Sequence, residues 1–165
     1  MRRRTTTLAL LAVGLAAVVV ATASAVPDDV ARAGGVQLTL PDGWSKVVPS
    51  DTHVDPRTLL VIGTDGVKAI DSDCQVSSYR VPSDGAVVVV IGWRDSIGGT
   101  SLLPLSAMRL RRGTFDCFAG RGAVGRLTRR DRDFQVNVMV GDRASGATID
   151  AALDAAKSFG LVPRA

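Results

Sequence analysis

The chain of 165 residues predicts an α+β domain, an antiparallel β-sheet built from hairpins with a C-terminal amphipathic helix packed on one face. Three observations predict it. Short segments alternate apolar and polar residues with period two, turn sequences rich in Gly, Pro and Asp separate them, and the one stretch with clear helical spacing comes last.

The chain opens on an export segment. Arg2, Arg3 and Arg4 make a positive start, and residues 8–20 are a run of thirteen apolar or small residues. Ala23 and Ala25 place small side chains at the −3 and −1 positions of a cleavage site before Val26. Residues 1–25 therefore read as a signal peptide. The alternative is an uncleaved anchor, because residues 8–26 carry only Thr22 and Ser24 as polar positions, close to the ~20 residues that cross a bilayer. The preceding arginines put the rest of the chain outside the cell in both cases, secreted or extracytoplasmic. The membrane is a partner only if this segment stays uncleaved.

Residues 26–35, with Pro27, Asp28, Asp29 and Gly34-Gly35, read as a linker, and residues 36–165 as a single domain. Val36-Gln37-Leu38-Thr39-Leu40 alternates as a half-buried strand, Pro41-Asp42-Gly43 turns the chain, and Trp44 covers the end of the core. Residues 59–62 are apolar but too few to decide between helix and strand. After the turn Gly63-Thr64-Asp65-Gly66, residues 74–81 alternate, Pro82-Ser83-Asp84-Gly85 turns, and 86–93 form a Val-rich buried strand, which together predict a hairpin. A Gly-rich connection leads to Met108-Arg109-Leu110-Arg111, whose alternation puts Arg109 and Arg111 on one face. Phe115 to Phe118 carries the second Cys, residues 126–133 read as a charged loop, and Phe134, Val136, Val138 and Val140 as one strand face with Gln135, Asn137 and Met139 opposite; the segments on either side of the loop make a second hairpin. Ser145 is the predicted N-cap of the helix, Ile149, Ala152, Leu153, Ala156 and Phe159 its apolar stripe, Lys157 its last turn, and Gly160 its left-handed stop before Pro163.

Composition excludes several chemistries. Every one of the 16 acidic residues is Asp, so a bidentate calcium-loop Glu, a zinc-protease Glu base and a glutamate acid/base pair are all absent. With a single histidine, His53, and two cysteines, no metal site is expected. Asp65, Asp71 and Asp73 miss calcium-loop spacing and read as solvated turn residues. Cys74 and Cys117, outside the cell, are expected to pair as a disulfide, a closure worth roughly 4 kcal/mol in the chain-entropy model. The rival, a reactive thiol near His53, needs a reduced cysteine where thiols rarely persist. Gly120-Arg121-Gly122-Ala123-Val124-Gly125 fits GxGxxG, but a charged stretch and a strand follow instead of a helix, so the glycines are read as permitting a bulged or tightly packed strand and no cofactor is expected. Neither GxSxG nor SxxK occurs.

The formal net charge is +4. Three of those charges leave with the export segment, and the remainder hides an asymmetry: residues 109–143 carry nine Arg against four Asp, whereas residues 26–108 carry six bases against ten acids. Arg109, Arg111, Arg129 and Arg130 are the candidates for binding an anionic membrane or wall surface. The competing reading has acidic and basic segments as neighbouring strands that neutralise each other. Nucleic acid is not an expected partner outside the cell, and aromatics at 4% give no stacking platform.

Pro41-Asp42-Gly43-Trp44, Gly63-Thr64-x-Gly66, Phe115-x-Cys117-Phe118-x-Gly120-Arg121-Gly122 and Val136-x-Val138-x-Val140-Gly141, with an Ala-rich final helix, together resemble uncharacterised exported or membrane-anchored domains of actinobacteria. The layout is also similar to the PsbP/Mog1-like α+β sandwich. The resemblance implies fold and location and carries over no catalytic residue. The expected function is a non-catalytic extracytoplasmic binding or envelope-associated domain, with an envelope protein or anionic surface as partner. The alternatives are a secreted hydrolase with a Ser/His53/Asp site and a binder of anionic membrane or wall through the Arg-rich face.

Overall fold

The computed structural model describes residues 29–49, 55–70, 79–95, 102–115 and 118–163. The export segment with Ala23 and Ala25, His53, Cys74, Cys117, and the Gly-rich stretch 96–101 lie outside the described residues. Among the described residues, no helix is long and apolar enough to cross a membrane.

The strands are β1 (Val30–Ala33), β2 (Val36–Thr39), β3 (Ser45–Lys46), β4 (Arg57–Gly63), β5 (Lys68–Ala69), β6 (Tyr79–Arg80), β7 (Ala86–Gly92), β8 (Arg111–Arg112), β9 (Arg121–Arg129), β10 (Arg132–Val140) and β11 (Gly160–Leu161), with helix α1 at Gly146–Lys157. A six-stranded antiparallel sheet runs β3-β4-β7-β10-β9-β8, a small sheet runs β1-β2-β11, and β5 pairs with β6. Helix α1 packs on β7, β10 and β2, so one face of the large sheet is covered by the helix and the small sheet. This is the α+β architecture that the alternation and the terminal helix predict.

Val-rich β7 forms the centre because both its neighbours and both its faces are apolar. Every residue from Ala86 to Gly92 is buried, and burial of each Val or Ile side chain contributes about 1.5–3 kcal/mol. Its even positions, Val88 and Val90, join the helix-side core with Leu60, Ile62, Phe134, Val136 and Val138. Its odd positions, Val87, Val89 and Ile91, form a second core with Val61, Val67, Tyr79 and Met139. Two buried faces explain why the segment reads as a continuous apolar run instead of an alternating one.

Four expectations are corrected. The Gly34-Gly35 pair is not linker but a hairpin turn, with φ of 56° and 78°, joining β1 to β2 in register Ala33↔Val36. Such paired positive φ angles are the geometry of a two-residue turn matched to strand twist. The hairpin expected between residues 74–81 and 86–93 does not form at its described residues, since Tyr79–Arg80 pairs with Lys68–Ala69 while β4 and β10 take the two edges of β7. The charged stretch 126–133 is not a loop: β9 and β10 continue through it, and only Arg130 (φ 50°) and Asp131 (φ 58°) form the turn. Charges at strand ends reach solvent without breaking the ladder, so charge density there was no evidence for a loop. Gly160 is not a left-handed stop; α1 ends at Ser158, in right-handed helical conformation, and Gly160 opens β11 against Gln37.

The remaining helix signals hold. Ser145 Oγ accepts from the Thr148 N–H at 3.1 Å, and Ala152, Ala155 and Ala156 are the buried face. Ser158 Oγ accepts from the Thr39 N–H at 2.7 Å and donates to the Ala155 carbonyl at 2.6 Å, tying the end of α1 to β2.

Candidate functional site

The β9–β10 hairpin gathers three of its arginines at the turn end, with Arg126 and Arg121 further along β9. Arg129 and Arg130 are exposed at the turn and Arg132 is half-buried beside them. Arg132 is fixed from two sides: its Nε donates to the Trp93 carbonyl at 3.3 Å, and its guanidinium lies 5.3 Å from the Phe134 ring centroid. Arg129 Nη1 donates to the Thr128 carbonyl at 3.1 Å, which holds that guanidinium along the outer edge of β9.

Among the described residues no carboxylate pairs with Arg129, Arg130 or Arg132; the side-chain ion pairs are Arg112–Asp142 at 3.2 Å and Lys157–Asp154 at 3.0 Å, both exposed. The strands β8 and β9, whose only charged residues are Arg, pair with each other, β10 carries Arg132 and Asp133, and β7 beyond it has no charged residue. Neutralisation of the basic segment by acidic strands across the sheet is therefore not what the described residues do. At the hairpin end residues 129–133 carry three Arg against two Asp, a net of +1.

Two concavities adjoin this hairpin end and share Arg129. The larger, about 400 Å³, is lined by Leu102, Leu105 and Phe159 on its apolar side and by Thr128, Arg129 and Lys157 on its polar side. The smaller, about 170 Å³, lies among Arg129, Arg130, Arg132, Phe134, Leu161 and Val162.

The four candidate arginines do not form one patch. Arg111 pairs with Gly122, whereas Arg129 stands seven residues further along the same strand, roughly 23 Å away at the rise of a β-strand. Arg109 Nη1 donates to the Met108 carbonyl at 2.7 Å and the Ser106 carbonyl at 3.4 Å, so it closes its own loop. Arg129 and Arg130 are joined by Arg132 and Lys157, which sequence reasoning missed. Hairpin register would have found Arg132, since it faces Arg129 across a two-residue turn; Lys157 comes near only through the packing of α1.

The opposite face of the hairpin holds a polar row inside the second core. Asp133, Gln135 and Asn137 are all buried. Thr128 Oγ1 donates to Asp133 at 2.5 Å, Arg126 Nε to Gln135 Oε1 at 2.8 Å, and Gln135 Nε2 to Asn137 Oδ1 at 2.9 Å. Asn137 Nδ2 has no hydrogen-bond partner and the residue has no exposure.

The GxGxxG glycines lie within and just before β9, which runs into a second strand. A Cβ on Gly120 would meet the Phe118 ring at 2.6 Å, one on Gly122 would strike Phe115, and one on Gly125 would strike Leu105. They are packing glycines, each making room for an apolar side chain. Among the described residues no group of His, Cys or Asp side chains could hold a metal ion. Comparisons with protein-family models, curated proteins and solved structures give no match.

Proposed function

We propose that the protein is an exported, non-catalytic binding domain that attaches to an anionic surface of the cell envelope through the end of its β9–β10 hairpin. The observation that carries this reading is the convergence of Arg129, Arg130 and Arg132 with no carboxylate partner among the described residues. Unpaired cations gathered at one end of a rigid hairpin create a positive potential that attracts anionic headgroups or polymers, each near-surface Arg contributing about 1 kcal/mol. The turn places Arg130 at the tip, where it can reach a flat surface before the rest of the domain does.

Export rests on the sequence of residues 1–25, and a disulfide between Cys74 and Cys117 belongs to the same reading. It is supported by the neighbours of the two cysteines along the chain: Tyr79 on one side, and Phe115 and Phe118 on the other, join the same apolar cluster.

The test is cosedimentation of the full exported protein with vesicles of phosphatidylglycerol and phosphatidylcholine. Binding that rises with the phosphatidylglycerol fraction and is lost in about 1 M salt, where the screening length falls to about 3 Å, is the expected result. Binding that is absent, or indifferent to salt, overturns the reading.

A further inference from the structure

We infer that the 400 Å³ cleft beside the hairpin is a binding site for a monocarboxylate with an apolar body. The inference shares Arg129 with the surface reading but stands without it. The cleft lies against the outer edge of β9. Leu103 and Arg126 exchange both backbone hydrogen bonds, at 3.0 and 2.7 Å, so the Arg126 N–H and carbonyl point outward, away from β10. Backbone direction repeats every second residue in an antiparallel ladder, so Thr128 points its N–H and carbonyl to the same edge. Its opposite number in the register, Asp133, uses its carbonyl toward β7, accepting from the Trp93 N–H at 3.0 Å, as that alternation requires.

Two residues beyond the Leu103 bridge, Thr128 lines the cleft and its carbonyl accepts from the Arg129 side chain. Three cationic residues line the cleft: Arg129, Lys157, and Arg126, whose Nε is already given to Gln135 Oε1. Lys157 also bonds Asp154 Oδ1 at 3.0 Å, an exposed pair that leaves its other two N–H groups available. The facing wall is apolar, with Leu105 and Phe159 half-buried and Leu102 at 59% exposure. Arg129 and Lys157 beside an apolar wall match one carboxylate on an apolar body, and the volume sits at the lower end of the range of small-ligand sites. Exposed Leu102 is a wall waiting for a non-polar partner, which a purely polar anion such as phosphate would leave in water. Such a carboxylate has two sources, a free alkyl acid or the C-terminus of a peptide ending in an apolar residue.

Calorimetric titration of the full exported protein with octanoate, octanol, and a Leu-terminated tripeptide as acid and as amide tests this. Saturable binding of octanoate or of the peptide acid, at least tenfold tighter than its uncharged counterpart, is expected, and whichever acid binds names the source. Lys157→Ser and Leu102→Ser, both at solvent-facing positions that leave the core intact, should each weaken the acid severalfold, and Leu102→Ser should do so without altering vesicle cosedimentation. Equal binding of acid and neutral counterpart, no saturable binding of either acid, or full affinity in both variants overturns the inference. Loss of vesicle binding alone would strike the surface reading and leave this one standing.

Discussion

The Arg132 guanidinium stacks over Phe134, 5.3 Å from its ring centroid, and so couples the charged hairpin end to the core of the domain. Phe134 is in turn 5.3 Å from Phe159, tilted by 50°, and 1% exposed. A cation so placed over a ring gains about 0.5–2 kcal/mol and is held in one orientation. Phe134→Ala removes the platform for Arg132 and opens a cavity beneath α1, at a cost of about 3–5 kcal/mol. Urea denaturation measures it; a loss below about 1 kcal/mol would show that the ring is not central to the packing.

Gly141 ends β10 at a point where no side chain fits. A Cβ there would strike the backbone carbonyls of Pro82 and Ser83, and its own N–H donates to the Gly85 carbonyl at 2.9 Å. Gly141→Ala must displace the turn that leads into β7, and backbone cannot swing away as a side-chain tip can. The expected destabilisation is about 1–3 kcal/mol. By contrast Gly146→Ala, where nothing lies within 4 Å, should be neutral or stabilising. The two variants compared by thermal denaturation check the assignment.

Much of this fold is legible in the residues. The pattern of Phe134 to Val140 assigns its two faces correctly, and Ser145 announces the helix, because both signals are local. Pairing is not local. Tyr79–Arg80 sits just before β7 in the chain, yet the seven-residue β4 and nine-residue β10 take the two edges of β7, and Tyr79–Arg80 pairs with Lys68–Ala69. The site follows the same division. Arg129 and Arg130 stand out as charge, whereas the contribution of Lys157 and Phe159 depends on where α1 docks, and the separation of Arg109 and Arg111 from them depends on strand register.

The polar row in the second core behaves as a unit. Gln135→Ala takes the donor from Asn137 Oδ1 and the acceptor from Arg126 Nε, leaving both polar atoms of the Asn137 amide without a partner among the described residues. Leaving buried groups unsatisfied costs about 1–3 kcal/mol. Adding Asn137→Val removes the orphaned amide, so the double variant should be more stable than Gln135→Ala alone. Denaturation of the two side by side checks it, and strictly additive losses would contradict the coupling.

Pairing of Cys74 with Cys117 predicts no reactive thiol in the protein purified from outside the cell under non-reducing conditions. Reduction should lower stability by up to roughly 4 kcal/mol. Thiol titration in denaturant reads the first and urea denaturation with and without reductant the second. Two titratable thiols in the unreduced protein would refute the pairing.

The measurement that bears most directly on the proposed attachment compares two pairs of arginines in vesicle cosedimentation. Arg129 and Arg130 are exposed at the hairpin turn, while Arg109 and Arg111 stand toward the other end of β9. Arg129→Ser/Arg130→Ser should weaken binding to phosphatidylglycerol vesicles roughly thirtyfold, from about 1 kcal/mol per near-surface charge. Arg109→Ser/Arg111→Ser removes the same net charge and should leave binding within about twofold of the unaltered protein, for the same reason of distance from the surface. Equal losses in the two variants, or a greater loss at Arg109 and Arg111, would contradict attachment through the hairpin end.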